Sequence, residues 1–430
     1  MSTNTSCSRV AIVSETEQAH GVGVEALSHL RRQSHGLLGW LQSASLVSGW
    51  ASRCARAAAH VLRLSQDVLG AVGAAGGAQG RGSWYGREVQ RSAVDHWQHL
   101  GTSLRRTAEV LRSWMGQQER WLLWRPLAEE GSEHCYLSAS TVHRWLDRAG
   151  KQAQASGDGQ LTGIGEGKLL GTDGLWAKLK GKAQRVVLLV VDSVSGLIYP
   201  PLVAKGEESE GPWQRLFARA QRAGLDLNAV RGVTSDGAQG LHAYLQRRLA
   251  WVQHQRCVWH LWRNLGGELS RAASQAAAGL TAAAAEQARK QARAELTALI
   301  HKIMDARSYA QAEAALAALQ GHPLGTAIAT ILNEQFDRVL VHLLAYYQGL
   351  QSVTPEWYWR DFRLRLSHGR NHRSDQRLER AALVWAIYHN FEPAQWRSER
   401  KRHYRYPGQS ALQVAGVPPG QVSYLDALGM

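Results

Sequence analysis

Two aspartates stand where an apolar segment gives way to glycine: Asp173 in Gly-Thr-Asp-Gly-Leu-Trp and Asp236 in Val-Thr-Ser-Asp-Gly-Ala. Each is expected at a strand end, where the glycine lets the backbone turn and leaves the carboxylate exposed. Taken singly, Asp-Gly is a common turn pair and needs no chemistry. Taken together on one sheet, the two carboxylates could hold divalent cations. A pair of cations about 3.5–4 Å apart clamps the attacking and leaving oxygens of an in-line phosphodiester displacement. Hard cations take oxygen ligands, so carboxylates must converge on them from separate elements. Asp192 also ends an apolar run and is a rival first ligand, although Asp192-Ser-Val-Ser-Gly196 reads as a hairpin turn.

Further along stands Gln255-Arg-Cys-Val-Trp-His-Leu-Trp-Arg-Asn-Leu265, in which Cys257 and His260 form a CxxH motif. A structural zinc site needs a second ligand pair, and only His134-Cys135 offers one. Trp259 and Trp262 flank His260 and could stack on an unpaired base, or could equally pack into a core. Past a long helical stretch, Glu356 stands in Thr354-Pro-Glu-Trp-Tyr-Trp-Arg-Asp-Phe-Arg-Leu-Arg365. A glutamate that starts a helix is often only favoured by the helix dipole. Glu379, in Arg-Leu-Glu-Arg, is its rival but lacks the residues that follow Glu356. Arg360, Arg363 and Arg365, with Lys178, Lys180 and Lys182, are candidates to line a DNA channel through phosphate contacts, which carry no base sequence information.

The elements that must position these residues follow from hydrophobic pattern. The β-branched run Val186–Val191 is expected to be a buried strand. The segment Lys168–Asp173 precedes it as a strand, and Leu197–Val203, with Pro200-Pro201, follows as an edge partner. A helix from Trp213 to Ala223, a strand over 229–236, a helix from Gly240 to Leu249 and one more short strand complete a β-β-β-α-β-α order. Residues 266–350 are Ala-rich and read as all helical, broken at Gly321-His-Pro; helices are expected again over 356–366 and 376–391.

Upstream, Ala93, Trp97 and Leu100 share a helix face that Gly101 stops, and Leu104, Ala108 and Leu111 face inward on the next helix. A third helix, capped by Ser138 or Ser140, buries Val142, Trp145 and Leu146 and turns His143, Arg144 and Arg148 outward. This pattern resembles helix-turn-helix DNA readers, in which one helix enters the major groove; an ordinary helical bundle is the plain alternative.

The expected organisation is a poorly defined extension with a Gly-rich linker over 1–82, a helix-turn-helix-like region over 83–150 and a first catalytic part over 160–265. An all-helical insertion over 266–350, a last catalytic part over 351–395 and a basic tail over 396–430 follow. The 430 residues carry 50 Lys and Arg against 35 Asp and Glu, a formal charge of +15 that favours a polyanionic partner, nucleic acid first. No uncharged apolar run is long enough to span a membrane, and no signal segment opens the chain. Four scattered cysteines without a CxxC pair argue against a disulfide framework and for a reducing cytoplasm.

Asp-Gly, a downstream CxxH, a long helical stretch and a Glu-aromatic-Arg-Arg pattern beyond it together resemble the Mutator-like element transposases and their prokaryotic insertion-sequence relatives. The resemblance spans about 84–410 and departs from the family where an Asn is missing ahead of Glu356. It implies an α/β fold: an RNase H-like mixed sheet interrupted by an all-helical insertion and preceded by the helix-turn-helix-like region. It implies Asp173, Asp236 and Glu356 as catalytic residues holding two Mg²⁺ (or Mn²⁺) ions, and Cys257 and His260 as the family's CxxH at the DNA. Its partners would be double-stranded DNA, as terminal inverted repeats and target, with a homo-oligomer on DNA and a cytoplasmic, nucleoid-associated location. The alternatives are a catalytically inactive, transposase-derived DNA-binding protein and an RNase H-like nuclease without strand transfer.

Overall fold

Val186–Val191 lies in an interior strand of a five-stranded sheet, and all six of its side chains are buried. Both faces of that strand are covered, which is why the run is continuous instead of alternating. Each such Val or Leu contributes roughly 1.5–3 kcal/mol on full burial. The computed structural model describes residues 87–100, 103–117, 137–179, 181, 183–205, 209–347, 358–359, 362–363, 372, 374–393, 408–420 and 422–430. All of these lie in one contact unit, residues 77–430.

The strands are β1 (Leu169–Lys178), β2 (Gln184–Asp192), β3 (Leu202–Lys205), β4 (Gly232–Ser235) and β5 (Gln253–Arg256). Their order in the sheet is β3-β2-β1-β4-β5. β1–β2 and β2–β3 pair antiparallel, whereas β1–β4 and β4–β5 pair parallel. Two expectations shift. β1 does not stop at Asp173: it runs on to Lys178, because its pairing with β2 continues through Asp173↔Leu189 and Gly174↔Leu188. β3 starts only at Leu202; the Pro200-Pro201 pair, which cannot donate to a ladder, holds the preceding segment to a single bridge, Val191↔Ile198. β3 is an edge strand, as the prolines suggested.

One sheet face packs on α4 (Glu210–Ala223) and α5 (Gln239–Arg248). Val186, Leu188, Val190, Leu170 and Val233 meet Trp213, Phe217, Leu241 and Tyr244 there. α4 ends where Gly224 takes a positive φ of 128°, and an added Cβ would sit 2.3 Å from the Thr162 backbone nitrogen. The other face carries Leu175, Leu189 and Val191 against Trp359, Phe362 and α11 (Asp375–Phe391). Between these elements runs a helical layer: α6 (Val258–Ala276), α7 (Ala282–Met304), α8 (Tyr309–Gly321), α9 (Thr326–Glu334) and α10 (Phe336–Val339). They share a core of Leu265, Leu296, Ile300, Leu319 and Leu332, and α8 ends at Gly321 as expected.

The upstream helices are α1 (Arg87–Leu100), α2 (Leu104–Gln117) and α3 (Ala139–Ser156). Ala93, Trp97, Leu104, Ala108, Leu111, Val142, Trp145 and Leu146 are all buried, and Ser138 accepts the Thr141 N–H as the α3 N-cap. α3 docks on α11: an added Cβ on Gly150 would lie 2.5 Å from Arg380 Cβ, and Arg380 binds both oxygens of Asp147 at 3.0 Å.

The end of the chain corrects a third reading. Residues 408–430 are not a basic tail. They form α12 (Ala411–Val414) and α13 (Tyr424–Ala427), each opened by a capping box, Ser410–Gln413 and Ser423–Asp426. Leu412 joins the core under the sheet, and Tyr424 and Leu428 join the core of α1–α3. The basic-aromatic run 396–406 lies outside the described residues, as does the extension 1–82.

Candidate active site

The site forms where β4 ends and its parallel pairing with β1 stops, while β1 itself runs on. Their register pairs Leu170 with Val233, Gly171 with Thr234 and Thr172 with Ser235. Continued by one residue, it sets Asp173 beside Asp236. The two aspartates, far apart in sequence, thus lie at the same level, Asp173 within β1 and Asp236 just past the end of β4. Asp173 is 3% exposed, and its Oδ1 accepts the Gly174 N–H at 2.9 Å. Asp236 is half-buried, and its Oδ1 accepts the Ala238 N–H at 3.0 Å. Gly237 takes a φ of 89°, so the turn expected after Asp236 is real, while the one expected after Asp173 is not.

The rivals are built into other places. Asp192 sits across from Leu170, at the start of β1, whereas Asp173 pairs with Leu189 further along. It is fully buried and closes its own turn: Oδ1 accepts Val194 N–H at 2.8 Å, and Oδ2 accepts Gly167 N–H at 3.4 Å. Glu379, on α11, accepts the Val203 N–H at 3.0 Å and pairs with Arg219 at 2.7 Å. That pins α11 to the β3 edge, two strands away from β1. Glu356, Arg360, Arg365, Lys180 and Lys182 lie outside the described residues; Lys178 and Arg363 are exposed. Among the described residues no three His, Cys, Asp or Glu side chains cluster as metal ligands. Trp359 and Phe362, just past Glu356 in sequence, pack with Trp385 on the face that also holds Leu175 and Leu189.

β5 leads into the CxxH segment. The β4–β5 register ends at Ser235↔Arg256, and the Cys257 N–H continues it by donating to Ser235 O at 2.7 Å. Cys257 is buried at the start of α6, and His260 is half-buried one turn on. The two flanking tryptophans part company. Trp262 packs toward the helical layer with its ring 4.9 Å from His301. Trp259 is 40% exposed, meets His260 edge-on and carries the Arg263 guanidinium 4.8 Å above its ring.

A cluster that sequence reading missed lies on the adjoining side of β5. His254 and Arg256, at alternate positions, are buried to 8% and 7% exposure. His254 Nε2 lies 2.7 Å from Ser235 Oγ, its Nδ1 lies 3.3 Å from Arg338 Nη2, and its ring meets His242. A guanidinium can only donate, so Arg338 is the donor to the His254 ring, which Ser235 meets at Nε2. Ser235 Oγ also accepts the Gly237 N–H at 3.1 Å, which ties the turn holding Asp236 to this chain of bonds. Burial first, then Arg338, His242 and Arg256, push the His254 pKa well below 6.5 and keep it neutral. The one sequence signal was the polar alternation in Gln253-His-Gln-Arg256, which has no meaning until the strand's neighbours are known.

In the upstream helices, Arg144 and Arg148 are exposed as expected, Arg148 donating to Gln90 at 3.3 Å. His143 is half-buried against His372, with ring centroids 6.0 Å apart, and not turned fully outward.

Residues 201–324 match the family model described as Transposase, Mutator family. That match supports a Mutator-like transposase family for this chain and covers β3 through the helical layer to α8. A comparison with curated proteins finds no match. No helix among the described residues is long and apolar enough to cross a membrane.

Proposed function

We propose that this Mutator-like chain is a DNA transposase whose Asp173, Asp236 and Glu356 cut transposon ends and join them to target DNA. The observation that carries the reading is the shared level of Asp173 and Asp236 at the end of the parallel β1–β4 pair. The β-β-β-α-β-α order of an RNase H-like domain supports it, being met by β1, β2, β3, α4, β4 and α5 in turn. So does the placing of Trp359 and Phe362 on the sheet face beside Asp173's strand neighbours, three and six residues past Glu356 in sequence.

The donor set suits Mg²⁺ or Mn²⁺: carboxylate oxygens from separate strands, with a half-buried Asp236 and backbone N–H groups holding one oxygen of each aspartate. Two such ions would supply an activated water for the nick and then an activated 3′-OH for joining. Asp173, locked in mid-strand, fixes the site against the sheet. Asp236, on a glycine turn, is held by the Ser235–His254–Arg338 chain. Cys257 and His260 begin α6 next to this turn, where the Trp259–Arg263 stack offers a flat face for an unpaired base. Arg144, Arg148, Arg363 and the other cationic candidates would meet phosphates. The rival to such an enzyme, a transposase-derived protein that only binds DNA, is separated from it by a supercoiled plasmid incubated with Mg²⁺ or Mn²⁺. Nicking is expected, and it should fall more than about a thousandfold in both Asp173→Asn and Asp236→Asn. Binding without nicking would favour the inactive protein, and nicking that survives either substitution would remove that aspartate from the site.

A further inference from the structure

Beside Asp236 the structure collects more positive charge than it neutralises. Arg256 lies along β5 with its guanidinium against Gly237; an added Cβ there would be 2.2 Å from Nη1 and 2.5 Å from Cζ. Arg256 Nη1 is buried without a hydrogen-bond partner among the described residues, and so is Arg338 Nε. The two guanidiniums are near enough for Arg256 to depress the Arg338 pKa, after burial has already lowered it. Among the described residues Asp236, with Cys257 after it, acts against the effect of burial on Arg256, and burial outweighs them. If Asp236 serves a metal ion, its charge is already spent. The neighbouring His254 and His242 are both held below their usual pKa and bring no negative charge.

A buried guanidinium with an unfilled N–H is costly, because water has been removed and nothing has replaced it. Such groups in native proteins have a reason, commonly a ligand that completes them. An anion with several acceptor oxygens would complete both groups at once. Arg338 and His242 are only half-buried, so the cluster has an open side. Arginine's fork of donors matches a phosphate's paired oxygens.

We propose that Arg256, Arg338 and His242 form a binding site for one phosphodiester group of the DNA backbone, directly beside the turn that carries Asp236. The proposal rests on the reading that the partner is DNA, not on any cutting or joining. Arg338 comes from α10, at the end of the helical layer, and reaches the end of β5. The layer therefore contributes a contact at the catalytic end of the sheet, and a bound phosphate would bridge Arg338 to Arg256 and steady the Asp236 turn between them.

The test uses the full chain and a short random-sequence DNA duplex, in EDTA so that no cleavage intrudes. Affinity is measured across a salt series for wild type, Arg338→Gln, Arg256→Gln and a control, Lys302→Gln, at an exposed position of α7. Each lost phosphate contact should lower the slope of log K against log salt by about 1. The expected result is that drop in both arginine variants but not in K302Q. Inorganic phosphate at constant ionic strength should raise the melting temperature of wild type more than that of R338Q. An unchanged slope in R338Q overturns the proposal and leaves the transposase reading standing. Stabilisation by inorganic phosphate with an unchanged DNA slope overturns it too, by assigning the site to a free anion. A wild type that binds no duplex sinks the proposal and the DNA reading together. Should R256Q fail to fold, His242→Gln takes its place, with weaker duplex binding at an unchanged slope, since a neutral imidazole releases no counterion; unaltered affinity in H242Q would overturn its part in the site.

Discussion

Two buried polar clusters in this molecule are built on opposite plans. Around His99, on α1, every strong group meets its complement. His99 Nδ1 lies 2.9 Å from Asp95 and its Nε2 lies 3.3 Å from Glu392, while Tyr424 donates to Asp95. Burial alone would lower the His99 pKa, yet hydrogen bonds to the two carboxylates override it and raise it to about 10. Around His254 the neighbours are Arg338, Arg256 and His242, and the same kind of side chain is driven the other way. The first cluster ties α1, the end of α11 and α13 into one core and is complete within the chain. The second holds the Asp236 turn and has donors left over. Charge balance thus separates a cluster made for folding from one made to receive something, and burial, which the two share, does not.

Breaking the balanced cluster should give the largest stability effect. Folding raises the His99 pKa from 6.5 to about 10, so its contribution is full below pH 6.5 and is lost as pH rises through 10. That contribution is at most on the order of 4 kcal/mol, since the ring keeps some exposure. Urea midpoints of wild type should fall across this window, whereas His99→Gln should start lower and change little over it. Duplex binding by H99Q at neutral pH should match wild type. A pH-independent wild type would mean that the ring is not held charged.

A smaller loss is expected at the seam that brings the two halves of the balanced core together. Gly150→Ala places a methyl 2.8 Å from the Arg380 carbonyl oxygen and 2.9 Å from its Cα, atoms that cannot swing away. A cost of about 1–3 kcal/mol in chemical unfolding is expected. An unaltered midpoint would show that α3 and α11 do not meet this closely. The smallest effect belongs to Glu379, which is partnered by Arg219 and Val203. Glu379→Gln should cost about 1 kcal/mol or less and should leave plasmid nicking intact. Loss of nicking would transfer the third carboxylate from Glu356 to Glu379.

The sheet was largely legible in the sequence because β2 is apolar on both faces and the prolines before β3 fix its edge. The buried faces of α1, α2 and α3 were legible for the related reason that each repeats at helical spacing. Asp173 was misplaced at a strand end because Asp-Gly signals a turn locally; only the long antiparallel partner, β2, keeps Gly174 extended. The final residues were read as a tail because the basic run before them dominated. Yet Ser410-x-x-Gln413 and Ser423-x-x-Asp426 were capping signals in plain view. The cluster at His254 could not be read at all. Its members come from β5, α5 and α10, and nothing in the chain between residues 254 and 338 announces that they meet.

The central claim is that Asp173 and Asp236 share cations, and Mn²⁺ binding tests it without relying on cleavage. Electron paramagnetic resonance of Mn²⁺ titrated into the protein with bound duplex should show tight ions in wild type, and their loss to a similar degree in Asp173→Asn and Asp236→Asn. Wild-type Mn²⁺ binding in either variant would contradict the claim, because the two carboxylates would then not face the same metal.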